Sequence, residues 1–135
     1  MNTAKIIINY LLTAVVFFAI DIVWLGFIAK NLYRKYLGSF LSDRVNWVAA
    51  IIFYLIYIIG ISIFAIYPSV NKDSALNAIL LGALFGAIAY ATYDLTNLAT
   101  LKNWPIQIVF IDIAWGAVLT AVVSLAGFYI VKMVG

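Results

Sequence analysis

Apolar residues run along this chain in stretches longer than a water-facing helix can use, and polar residues come between them in short bursts. A helix crosses a bilayer on roughly 20 mostly apolar residues. Four stretches reach that length: about 6–29, 47–67, 75–99 and 105–131. The pattern predicts an all-α integral membrane bundle of four transmembrane helices, forming a single domain over residues 1–135. A signal peptide is a poor reading of the first stretch, which is too long and contains Asp21.

The breaks fit these spans. In "YPSVNKDSA" (67–75), Pro68 is expected to stop the second helix, and Asp73 or Ser74 to cap the third. In "LKNWP" (101–105), Asn103 or Trp104 falls near the cap of the fourth helix, with Pro105 in its first turn. The longest polar interval is "KNLYRKYLGSFLSDRVN" (30–46). Leu32, Tyr33, Tyr36, Leu37, Phe40 and Leu41 recur in it at steps of three and four, making one apolar stripe. This predicts a short amphipathic interfacial helix between helices one and two.

Composition narrows the chemistry. The chain is 67% hydrophobic and 10% charged, against about a quarter charged in soluble domains. It has no Cys, His or Glu, so all five acids are Asp. That removes disulfides, thiolate or histidine nucleophile pairs and Cys/His metal sites. No cofactor or resident metal is implied. The net charge of +3 is scattered rather than gathered on a face, so nucleic acid is not an expected partner. The side holding the 30–46 interval carries Lys30, Arg34, Lys35, Arg44 and Lys102, against Lys5, Lys72 and Lys132 on the other. This bias predicts that interval in the cytoplasm and both termini outside.

Against so apolar a background, "IDIVW" (20–24) and "IDIAW" (111–115) stand out. Each places an Asp inside a span with a Trp one turn on. On the four-span topology, Asp21, Asp94 and Asp112 fall in the same half of the membrane, roughly 12, 8 and 10 Å below the surface at 1.5 Å per residue. A central ionised Asp costs about 2.5–3.5 kcal/mol on insertion scales. The three therefore call for protons, a cation or a donor-rich ligand. Gly82, Gly86, Tyr90 and Asp94 share one helix face, as do Asp112, Gly116, Thr120 and Ser124. Small residues on both faces favour close packing, which turns the acids inward. Tyr54 and Tyr57 lie at comparable depth and could donate to carboxylates, while Trp47 and Trp104 sit at span ends as interface anchors. The two matching phrases, on antiparallel helices, could also record an inverted duplication.

The phrases "DIVWLG" (21–26), "YRKYLG" (33–38), "NW" (46–47), "LLGALFGAIAYATYDLTNLATLKNWP" (80–105) and "DIAWG" (112–116) resemble the small bacterial membrane proteins grouped as domain of unknown function 2177. The resemblance spans nearly the whole chain. It implies a bacterial four-span inner-membrane protein and no particular reaction. The family's recurring positions correspond here to Asp21, Trp24, Gly26, Tyr93, Asp94, Thr96, Asn97, Asp112, Trp115 and Gly116.

The expected ligand-binding set is Asp21, Trp24, Tyr54, Tyr57, Tyr90, Asp94, Asn97, Asp112 and Trp115. The reading these residues favour is binding or transport of a cation, a cationic small solute or a lipid headgroup. Partners would be the lipid bilayer and a second copy of the chain. A membrane-embedded lipid-modifying enzyme and a non-catalytic accessory subunit are the alternatives.

Overall fold

The computed structural model describes residues 2–135. Its helices are α1 (Thr3–Val23), α2 (Lys30–Leu37), α3 (Trp47–Ile61), α4 (Tyr67–Asn71), α5 (Ala75–Thr100) and α6 (Ile106–Val134). π-helical turns extend α1 over Trp24–Ile28 and join α3 to α4 over Ser62–Ile66. Four continuous helical stretches are long and apolar enough to cross a membrane: Thr3–Ile28, Trp47–Asn71, Ala75–Thr100 and Ile106–Val134. Large side chains such as Val15, Phe27, Phe64 and Phe110 stand more than half exposed on their outer faces. Lipid, rather than water, is the solvent that tolerates such a surface.

Local chemistry sets the helix starts. The Asn2, Asn46 and Ser74 side chains accept from the backbone N–H three residues on, at 2.9, 3.1 and 3.0 Å. These caps satisfy donors that the first helical turn leaves free. Ser74 is thus the cap of α5. Asp73 instead takes a left-handed turn conformation (φ 50°) and pairs with Lys132 across the end of the bundle. Asn103 adopts φ 61°, which Asn tolerates. The cap of α6 falls on Pro105, one or two residues later than the expected Asn103 or Trp104.

Three expectations change. Pro68 does not end the second span, which continues to Asn71. The π turn just before it re-routes the backbone, with the Tyr67 N–H bonding the Ser62 carbonyl, so the helix accommodates the proline ring. The amphipathic segment is helical over 30–37, not throughout 30–46. Gly38 and Ser39 are poor helix formers, and the stripe is already satisfied where Leu37 packs against Trp104, Ile108 and Val109. Trp104 is therefore buried in that cluster rather than anchored in lipid, while Trp47 stays exposed at the start of α3.

The tightest seam joins α5 to α6. The helices run antiparallel, and their small residues meet rung by rung. A Cβ on Gly82 would come within 2.7 Å of the Ser124 Cβ and of the Thr120 carbonyl oxygen. One on Gly86 would collide with the Gly116 carbonyl, and one on Gly116 with the Tyr90 side chain. The next rung toward α2 is Asp94 beside Asp112. At the other end, Asn77 Nδ2 donates to Ser69 Oγ at 3.0 Å, tying α4 to α5.

Gly86→Ala puts a methyl group into a carbonyl that cannot retreat. Overpacking of this kind typically costs about 1–3 kcal/mol. The thermal unfolding midpoint of Gly86→Ala in detergent should fall clearly. Gly26→Ala, which meets nothing within 4 Å, should leave it unchanged.

Candidate functional site

The two Asp-Trp phrases face each other across α1 and α6. Trp24 stacks on Trp115, with ring centroids 4.2 Å apart and planes 9° from parallel. Each Trp then serves the other phrase's acid. The Trp115 indole lies beside the Asp21 carboxylate. Trp24 Nε1 donates to the Tyr33 hydroxyl at 3.2 Å, and that hydroxyl donates to Asp112 Oδ1. Trp24 opens the π turn of α1, where the Ala29 N–H reaches back to the Trp24 carbonyl at 2.7 Å. Single π turns of this kind often occur at functional positions.

Asp21 is buried, and its Oδ2 accepts from the Tyr54 hydroxyl at 3.1 Å. It borders a cavity of about 410 Å³. Rings from every span, and from α2, make most of the wall: Trp24 from α1, Tyr33 from α2, Phe53 and Tyr54 from α3, Tyr90 and Tyr93 from α5, and Trp115 from α6. The cavity exists because α3 meets the bundle through Tyr54 and Tyr57, which pack on Phe17 at 5.5 and 5.9 Å. Its first turns stand away, leaving Trp47 and Val48 exposed.

Asp94 and Asp112 lie together, outside that cavity. Asp94 is fully buried, and neither of its carboxylate oxygens has a hydrogen-bond partner. Its neighbours are the Asp112 carboxyl and the Trp104 indole, whose N–H is likewise unpaired. Neither acid is in an ion pair; the one ion pair among the described residues is Lys132–Asp73 at the far end. The three acids thus form a pair and a single, with Tyr33, Trp24 and Trp115 running between them. Burial, then the hydrogen bond to Asp112, pushes the Tyr33 phenol above its ordinary range, so it remains a donor at neutral pH.

Of the expected ligand-binding set, Asp21, Trp24, Tyr54, Tyr90 and Trp115 line the cavity. Asp94 and Asp112 sit behind it. Tyr57 does not donate to a carboxylate; its hydroxyl pairs with Thr120 at 2.8 Å, because it lies a turn deeper and faces α6. Asn97 sits beside Tyr93, outside the cavity wall, and its carbonyl closes the last turn of α5 by accepting from the Leu101 N–H at 2.8 Å. Tyr33 and Phe53 were not expected. Tyr33 lies on the apolar stripe of the interfacial helix, but nothing in the sequence ties it to Asp112, 79 residues away.

Tyr33 is the side-chain hydrogen bond that holds α2 to the buried acids. Tyr33→Phe should speed amide exchange over Lys30–Leu37 several-fold relative to the parent, read by mass spectrometry. Lys35→Ala, on the exposed face, should not.

No curated protein and no solved structure matches this chain. One family model does, described as "Predicted membrane protein (DUF2177)", and it matches residues 6–129. That span contains both Asp-Trp phrases, the α5–α6 seam and every residue lining the cavity. The chain belongs to the DUF2177 family of predicted membrane proteins.

Proposed function

We propose that this protein binds a positively charged organic group, carried by a small solute or a lipid headgroup, in the cavity beside Asp21. The single observation that carries the reading is a buried carboxylate, without a basic partner among the described residues, at the wall of a cavity otherwise lined mostly by aromatic rings. A carboxylate in a low-dielectric setting attracts a cation far more strongly than one in water. The ring faces add to this, because each carries the negative side of its quadrupole.

The position of the cavity suits a ligand that arrives at the membrane surface. Asp21 lies seven residues before the end of the first span, a depth of roughly 10 Å at 1.5 Å per residue. Leu25, Phe53 and Tyr93 line the cavity and are about half exposed. Transport across the bilayer would require a second opening toward the termini, which a second copy of the chain could supply. The basic-residue bias, with Lys30, Arg34, Lys35, Arg44 and Lys102 on the α2 side, supports a cytoplasmic-membrane protein with this opening facing the cytoplasm.

Trp24 and Trp115 provide an intrinsic fluorescence reporter. Titration with a panel of ethanolamine, guanidinium and choline should give a saturable change for at least one of them. Asp21→Asn should weaken that binding by tenfold or more, equivalent to about 1.4 kcal/mol. Unchanged affinity in Asp21→Asn, or no saturable binding of any member by the parent protein, would overturn the reading.

A further inference from the structure

Resting on that reading, we infer that the charged group the cavity takes is a quaternary ammonium, fully substituted with carbon, rather than a primary ammonium, a guanidinium or a bare metal ion. Hydrogen-bond accounting within the cavity points there. A primary ammonium brings three N–H donors and a guanidinium five. The acceptors available are few. Asp21 is the one carboxylate on a wall otherwise made mostly of rings, and its Oδ2 already accepts from Tyr54. The Tyr33 hydroxyl accepts from Trp24 and donates to Asp112. The surrounding backbone is helical, so its carbonyls are used within the helices. A donor buried without an acceptor is costly. A quaternary ammonium has no donor to satisfy.

The rest of the wall then acts as the binding surface. The methyl groups of a quaternary ammonium spread the positive charge outward, where it meets aromatic rings instead of lone pairs. Trp24 and Trp115 both border the cavity, with Tyr33, Phe53, Tyr54 and Tyr90. A bare divalent ion would need six or more oxygen ligands. Among the described residues no three acidic side chains gather to hold one. The volume of about 410 Å³ lies in the range of small-molecule sites. It holds a trimethylammonium head with part of the group attached to it.

Both a choline-type lipid headgroup and a free quaternary ammonium solute carry this chemistry, and the test separates them. The full-length protein in maltoside micelles is titrated with ethanolamine, its N-methyl and N,N-dimethyl derivatives, and choline. 3,3-Dimethyl-1-butanol, the neutral carbon isostere of choline, is the uncharged control. Affinity should rise with each methyl group, with choline at least tenfold tighter than ethanolamine and the isostere not binding. Phe53→Leu removes one ring from a partly exposed wall position. It should weaken choline two- to fivefold, the value of one exposed cation–π contact of about 0.5–1 kcal/mol.

The second arm compares dihexanoylphosphatidylcholine with dihexanoylphosphatidylethanolamine below their micellar concentrations. Competition by the choline lipid at much lower concentration than free choline assigns the site to a headgroup. Equal or weaker competition assigns it to a solute. Ethanolamine binding as tightly as choline would overturn the quaternary assignment while leaving a cation site in place. Binding of the neutral isostere as tightly as choline would overturn both, as would saturable binding of none of the amines.

Discussion

Close approach of α5 and α6 is the constraint on which the rest of the structure depends. Inside lipid there is no hydrophobic force to draw helices together, so association relies on packing and on polar contacts. Gly82, Gly86 and Gly116 remove the side chains that would hold the two backbones apart, and Ser124 and Thr120 fill the space that remains. The rungs step by four residues on both helices, so the seam runs straight to its last rung, where Asp94 meets Asp112. Two acids brought together inside a membrane are costly.

Everything nearer α1 is arranged around that rung. Tyr33 reaches in from α2 to donate to Asp112 and accepts from Trp24 in return. Trp24 is held flat against Trp115, and Trp115 lies against Asp21. A continuous set of contacts therefore runs from the buried acid pair to the wall of the cavity. The short helix α2 is part of that wall through Tyr33, and its far end is pinned by Leu37 against Trp104 and Ile108. Tyr33 therefore both lines the cavity and bonds Asp112.

Four spans and their order were legible in the residues, and so was the inward face of the third and fourth. Long apolar runs have one stable form in lipid, because each backbone donor must be paired within its own segment. Steps of four on a helix define a face regardless of what it meets. The cavity was only half legible. Asp21, Trp24, Tyr54, Tyr90 and Trp115 could be named, because polar and aromatic residues in a span are conspicuous. Phe53 could not, since a phenylalanine beside a cavity and one beside an acyl chain look alike in a sequence. Pro68 misled because the π turn that accommodates it depends on how α3 and α4 lie against α5.

By itself, then, the sequence determined how many helices are long and apolar enough to cross, which residues are too polar to face lipid, and that Asp21, Asp94 and Asp112 share one half of the bundle. Those are properties of single helices, set by composition and by the 3.6-residue period. Only the tertiary structure decided that Asp94 pairs with Asp112 while Asp21 stands with Tyr54, that Trp24 stacks on Trp115, and that Tyr33 joins the two groups. Such contacts depend on the rotation and tilt of one helix against another. Those are set by the fit of side chains along the α5–α6 seam and by the way α3 leans off it, and neither is encoded in any one segment.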